Sequence, residues 1–332
     1  MENRPLKAIV ITTIFPPTPA AQDFSRMEGY RLYVVGDRRT PADWNLPGTV
    51  FISAGQQEKM PYRLVRHLPW NHYCRKMIGY LAAIADHAEC IADTDDDNFP
   101  KPGWAFPEFE GIFQKLGEGK GFVNIYSLFT DQHIWPRGLP PDRITAADDL
   151  GSAIAPAPCN VGVWQGLADE DPDVDAIYRL TSDKPCCFND REPVVLARET
   201  VSPFNTQNTL IRKELFPLLY LPVTATFRFT DILRGLVAQP VMWQHGYELG
   251  FTGATVIQKR NPHDYMKDFA SEVPMYLHAA SVPALVAAAL DPADSVGGNL
   301  HRAYEALVRH GIVLKEEMAS LEAWLADLGD IK

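Results

Sequence analysis

The stretch Asp93-Thr94-Asp95-Asp96-Asp97 limits what this chain can fold into more than any other. Four carboxylates within five residues repel one another, and they follow a short apolar run, Cys90-Ile91-Ala92. Such a cluster is tolerable at a strand end only where something neutralises it. In extended backbone alternate side chains point the same way, so Asp93, Asp95 and Asp97 are expected to converge. Oxygen donors of this kind suit a hard cation, Mg2+ or Mn2+. Mg2+ takes one or two protein carboxylates and completes its shell with water and substrate phosphates. The expectation is a metal-assisted site for a phosphate-bearing substrate. The plain alternative is a solvated acidic loop.

The residues around the cluster read as alternating strands and helices. Residues 7–15 (KAIVITTIF) are β-branched and nearly continuous, the pattern of a strand buried on both faces of a parallel sheet. Residues 31–35, 49–52 and 89–92 read as further strands, and 62–68 as a short helix. Residues 73–87 read as a longer helix, with Met77, Tyr80, Leu81 and Ile84 at i, i+3, i+4 and i+7. This alternation implies an α/β fold, a mixed, mostly parallel sheet flanked by helices. Ligands of such sheets bind outside the carboxyl ends of the strands. The aspartate cluster, Asp37 and the Phe15-Pro16 loop are expected to meet there.

Beyond Pro100 the pattern loosens. Residues 121–129 read as a strand, 135–157 as a proline-rich loop, and 161–164, 207–211 and 255–258 as short strands. Residues 173–180 fit a helix or a strand. Helical spacing marks 213–219, 227–238, the stretch after Tyr265 with caps at Asp264 and Ser281, and 300–327. The expected organisation is one domain over 1–285, in two halves, 1–130 and a loop-rich 131–285. Helices follow over 286–332.

Composition narrows the function. A formal net charge of −11 argues against nucleic acid as a partner. Five cysteines without metal-ligand spacing read as reduced thiols of a cytoplasmic protein. No apolar stretch approaches 18 residues, so no membrane span is expected, and residues 1–15 do not read as a signal peptide. An EF-hand register on Asp93, Asp95 and Asp97 fails, because Asn98 stands where glycine is needed and Trp104 where glutamate is needed.

Six segments in order carry a resemblance: TPADWNLPG (40–48), YCRKMIGYLAAI (73–84), DTDDD (93–97), DVDAIYRLT (173–181), PFNTQNTLIRKELF (203–216) and FRFTDILRG (227–235). Together they resemble the STELLO-like family of glycosyltransferases of the GT-A class, over residues 7–270. The resemblance implies a GT-A-like fold, with 1–130 the nucleotide-sugar-binding half and 131–285 the acceptor half, and transfer from a nucleotide sugar, a UDP-sugar first, with GDP- and dTDP-sugars open. The acceptor is open: a glycan, a lipid-linked sugar or a small molecule. The amino-terminal anchor expected of a Golgi-resident member is not read here, which fits a soluble relative. Rival readings are a nucleotide-sugar mutase with a similar aspartate triplet and a non-catalytic nucleotide-sugar-binding scaffold.

Candidate roles follow. Asp95 and Asp97 are expected nearest the metal and Asp93 nearer the ribose. Arg75 or Lys76 would reach the diphosphate; they point about 100° apart on a helix, so one of them does. The resemblance implies that Thr12, Thr13 and Phe15 cup the base. Asp37 is placed to accept from base or ribose, or is a turn aspartate. Asn205, Gln207 and Asn208 offer amides to sugar hydroxyls, or satisfy their own turn. Arg228, Asp231 and Arg234 recur at i, i+3 and i+6, with the arginines beside the donor. Asp231 would be the base for the acceptor hydroxyl in an inverting reaction, against a helix-surface ion pair. Asp173 with Asp175, and His245 as a metal ligand, are lesser candidates.

Overall fold

The computed structural model describes residues 5–146, 149–260 and 263–331. Four parallel strands form one side of the sheet: β1 (Leu6–Thr13), β2 (Tyr30–Gly36), β3 (Thr49–Ile52) and β4 (Ala88–Thr94), in the order β3-β2-β1-β4. Alternate residues of β1 serve opposite faces. Ala8 and Val10 join one core cluster while Ile9 and Ile11 join the other. The strand is therefore covered on both sides, as its unbroken β-branched run predicts.

Helix α1 (Pro19–Phe24) follows β1, capped by Thr18, and α2 (Ala54–Gln57) follows β3. The expected helix over 73–87 is a 3-10 turn, Tyr73–Arg75, leading into α3 (Lys76–Ala85), which packs on β1, β2 and β4. Gly79 permits this closeness. A Cβ there would lie 2.6 Å from Val10 Cγ1 and 2.7 Å from Val35 Cγ2.

The sheet continues with β5 (Asn98–Pro100), β6 (Glu110–Leu116), β8 (Ile154–Glu170), β9 (Val194–Leu196), β11 (Asn208–Arg212) and β12 (Glu248–Gln258). Beyond β4 the order is β11-β8-β6-β9-β12-β5, and β8 also pairs with β12. Strand β11 runs antiparallel to β4, setting Asn208 opposite Thr94 at the edge of the aspartate cluster. Strands β7 (Gly121–Phe122) and β10 (Thr200–Val201) form a separate pair. This is the GT-A-like arrangement that the resemblance implies.

Two expectations need correction. The strand over 121–129 stops at Phe122, and 3-10 turn Ile125–Leu128 follows. The strand over 161–164 is the middle of the 17-residue β8. Its first half carries Pro156 and Pro158, which disguised it as loop. Those prolines pair with β6 where β8 has that neighbour alone, so their missing N–H groups break no second ladder. Within the predicted loop, residues 147–148 lie outside the described residues. Residues 213–219 are helical as expected, a 3-10 helix with Pro217 inside it.

Helices α4 (Ala176–Thr181), α5 (Thr230–Gln244), α6 (Tyr265–His278), α7 (Val282–Ala287), α8 (Val296–Arg309) and α9 (Glu317–Asp330) complete the described chain. Asp264 caps α6 as expected. Helices α7 and α8 pack on α5, and Trp324 of α9 shares the main core with Ala8. Buried Glu317 accepts hydrogen bonds from Val223 N at 2.9 Å, Thr224 N at 2.7 Å and the Thr224 hydroxyl at 2.6 Å. Asp327 similarly accepts from the amides of Arg63 and Leu64. Among the described residues no helix is long and apolar enough to cross a membrane.

Candidate active site

A cleft opens at the carboxyl ends of β1, β2 and β4. One compartment is lined by Thr12, Thr13, Phe15, Asp37, Tyr73 and Arg75. The adjoining one is lined by Asp95, Asp96, Asp97, Gln207, Arg137, Asp173, Asp231, Arg228 and Arg260, among others. Thr12, Tyr73, Asp96 and Phe227 border both, so the two are continuous.

The acid cluster divides between core and cleft. Asp93 ends inside the fold, fully buried, with one oxygen 2.8 Å from Lys76 Nζ and the other 2.8 Å from Arg234. Asp95 follows the strand and keeps 36% of its side chain exposed, one oxygen 2.8 Å from the same ammonium. Asp96 accepts a 2.5 Å hydrogen bond from the Thr13 hydroxyl, and its carbonyl accepts from Thr18. Among the described residues the Asp97 carboxylate meets the Gln258 amide, at 3.4 and 3.5 Å, beyond good hydrogen-bonding distance.

Enclosure in the cleft pushes Asp95 up to about 6 against the pull of Lys76, with Asp97 adding repulsion. Enclosure likewise raises Asp96 to about 6, although the Thr13 hydroxyl opposes it. Asp97 is raised by the same loss of solvent and by Asp96. Burial lowers the affinity of Lys76 for its proton, but Asp93 and Asp95 more than restore it. Acids held above their ordinary range are short of positive charge. Among the described residues no three His, Cys, Asp or Glu side chains form a cage that could hold a metal. Asp95 and Asp97 supply two open carboxylates, the partial donor set of a dication that also binds phosphate oxygens. The residues fit such an ion.

On the opposite wall Arg137 links two acids. Its Nε and Nη2 reach Asp173 at 2.8 Å each, and Nη1 and Nη2 reach Asp231 at 2.9 and 2.8 Å. The Tyr73 hydroxyl donates to Asp231 at 3.3 Å and accepts from its amide at 3.1 Å. Burial opposes ionisation of Asp173, yet Arg137 holds it down to about 2.

The predicted residues separate accordingly. Thr12, Thr13, Phe15, Asp37, Arg75, Asp95, Asp97, Gln207, Arg228 and Asp231 line the cleft. Asp93 does not face a ribose; Lys76 and Arg234 consume both its oxygens. Neither Arg75 nor Lys76 faces the acid-lined compartment. Lys76 lies beneath the acids, and Arg75 bonds Gln57 Oε1 and Leu68 O and stacks on Trp70. Arg228 precedes α5 rather than riding on it, so the i, i+3, i+6 spacing does not hold; Arg228 pairs with Glu272 at 2.9 Å.

Asn208 is buried between strands, bonded to Trp104 and Thr255, and lies outside the cleft lining. Asn205 is buried too; it donates to Asp173 and accepts from Gln207 N. Asp175 caps α4, and His245 ends α5 beside Asn299, outside the cleft lining. Sequence reasoning missed Arg137, Gln258, Arg260 and His263. Arg137 sits in irregular backbone, where no periodicity marks it.

The fold and cleft define a GT-A-like protein with an acid-lined site at the carboxyl ends of its parallel strands. The family model described as STELLO glycosyltransferases matches residues 228–332, from the cleft arginine to the carboxyl end. That match extends past the segments from which the resemblance was read. The Arabidopsis thaliana protein named Probable glycosyltransferase STELLO2 is 28% identical over 348 residues, covering 97% of this chain and 44% of that protein. Probable glycosyltransferase STELLO1 of the same plant is 26% identical over 345 residues, with the same coverage. The chain is thus similar to these two proteins over nearly its whole length, and spans less than half the length of these curated relatives.

Proposed function

We propose that the chain is a metal-dependent glycosyltransferase that moves a sugar from a nucleotide sugar, a UDP-sugar first, to an acceptor hydroxyl with inversion. One observation carries this reading: a compartment at the ends of β1 and β2 opens directly into one where Asp95 and Asp97 present free carboxylate oxygens. The first suits a base and ribose, the second a diphosphate and sugar. Mg2+ or Mn2+ held by Asp95 and Asp97 would offset the charge that develops on the leaving diphosphate. Gln207 and Gln258 border the same compartment, where the Gln207 amide donates to Gln258 Oε1 and the Gln207 side-chain carbonyl oxygen is left to meet a hydroxyl.

Asp231 is the proposed base. It faces the acid-lined compartment beside Tyr73, within the segment that resembles the family. Arg137 engages both of its carboxylate oxygens, and this favours a second reading in which the chain binds a nucleotide sugar without transferring it. Thermal shift with UDP, GDP and dTDP, each with and without Mn2+, tests the donor, because a ligand of the native state raises the melting point. Product analysis of Asp231→Asn tests the base. The expected result is retained donor binding with transfer reduced by about a hundredfold or more. Transfer at the parent rate would remove Asp231 from the chemistry, and an isomerised donor would point to a mutase.

A further inference from the structure

Three arginines line the acid-lined compartment, and their charges are not equally answered. Arg137 is held by Asp173 and Asp231, and Arg228 by Glu272. Arg260 has no ion pair or hydrogen bond among the described residues, and its Nε is buried without a partner. Burial pushes it down to about 10, with Arg228 and Arg179 repelling it and Asp173 and Asp268 offsetting only part. A guanidinium does not surrender its proton in a protein, so this position costs stability in the free chain. The strand before it leads straight there: Gln258 contacts Asp97, and the amide of Lys259 donates to Asp97 O at 3.2 Å. Arg260 thus stands at the cleft edge just past an acid proposed to hold the metal. A free planar fork of donors suits a phosphate or a carboxylate.

We propose that Arg260 binds an oxyanion of the substrate, a phosphate or carboxylate reaching past Asp97, and so makes an anionic ligand a requirement of this site. This deepens the glycosyltransferase reading and rests on it for the source of the anion. That source is either the donor diphosphate or an acid group on the sugar or acceptor.

The test uses the full chain and its Arg260→Gln and Arg260→Lys variants, titrated with inorganic pyrophosphate, uridine, UDP, UDP-glucose and UDP-glucuronate in the presence of Mn2+. Arg260→Gln is expected to weaken the anionic ligands by about tenfold or more, leave uridine unchanged, and melt without ligand at or above the parent temperature. Arg260→Lys should recover part of the affinity. A side chain with only a structural role would instead lower the melting point of the free protein. Equal loss for pyrophosphate and all UDP ligands assigns the diphosphate, whereas loss confined to UDP-glucuronate assigns a sugar acid. Affinities within twofold of the parent for every anion, or a parent that binds no anion, overturn the proposal. Pyrophosphate binding that depends on Arg260 in a chain that binds no nucleotide would keep the proposal and overturn the donor reading instead.

Discussion

The ammonium of Lys76 lies 2.8 Å from an oxygen of Asp93 and 2.8 Å from an oxygen of Asp95, one acid sealed in the core and the other open to the cleft. A single cation thereby supports both the fold and the floor of the site. In Lys76→Met the two carboxylates lose it together, and only Asp93 keeps another cation, Arg234. Removing one partner of a buried pair costs about 3–5 kcal/mol. The urea midpoint should fall by a corresponding amount, with no change in slope.

Neighbouring acids should respond in opposite ways. Asp93→Asn strands Lys76 and Arg234 with one counter-ion fewer and is expected to destabilise by about 3 kcal/mol or more. Asp97→Asn removes a charge that its surroundings already disfavour, so the melting point should hold or rise. Mn2+-dependent UDP binding should be lost in Asp97→Asn, and calorimetric titration beside the melting curves reads both effects. Unchanged UDP affinity in Asp97→Asn and Asp95→Asn would remove the metal from these residues.

Acid should loosen the wall opposite. Asp173 sits at about 2, below its ordinary 3.8, because Arg137 outweighs its burial. A depressed carboxyl makes the unfolded chain the stronger proton binder, so stability rises with pH through that window. The contribution is complete above about pH 4 and lost as pH falls towards 2, amounting to about 2–3 kcal/mol. Urea midpoints measured from pH 5 to 2 should fall less steeply in Asp173→Asn than in the parent.

Gly79 should resist alanine. On an isolated helix the change would gain about 1 kcal/mol. Here the new methyl meets Val10 and Val35, whose branched side chains have little freedom to move aside. Overpacking of this kind costs about 1–3 kcal/mol, so Gly79→Ala should lower the urea midpoint.

The parallel half of the sheet was legible because β-branched runs and a helix of period 3.6 leave little choice of structure. The aspartate cluster was legible as a site because its charge needs an answer. Its internal division was not. Period-two geometry groups Asp93, Asp95 and Asp97, but Asp93 is the next-to-last residue of β4 while the other two lie beyond its end. Arg234, which claims Asp93, is 141 residues away. A separation of 94 residues likewise hid the pairing of Arg137 with Asp231. Local spacing suggested Arg228 as the companion of Asp231, yet the partner came from a proline-rich turn. Strand β8 was lost to its prolines, which mark a loop until a one-sided ladder is known to accommodate them.

Glu317 has a wider consequence. Its carboxylate fastens Val223 and Thr224, a few residues before Phe227 and Arg228 enter the cleft lining. The last helix thus ties down the segment that leads into the cleft lining. Glu317→Gln is therefore expected to loosen the approach to Phe227 and Arg228 while Trp324 stays in the core and the acids at the cleft floor keep their own partners.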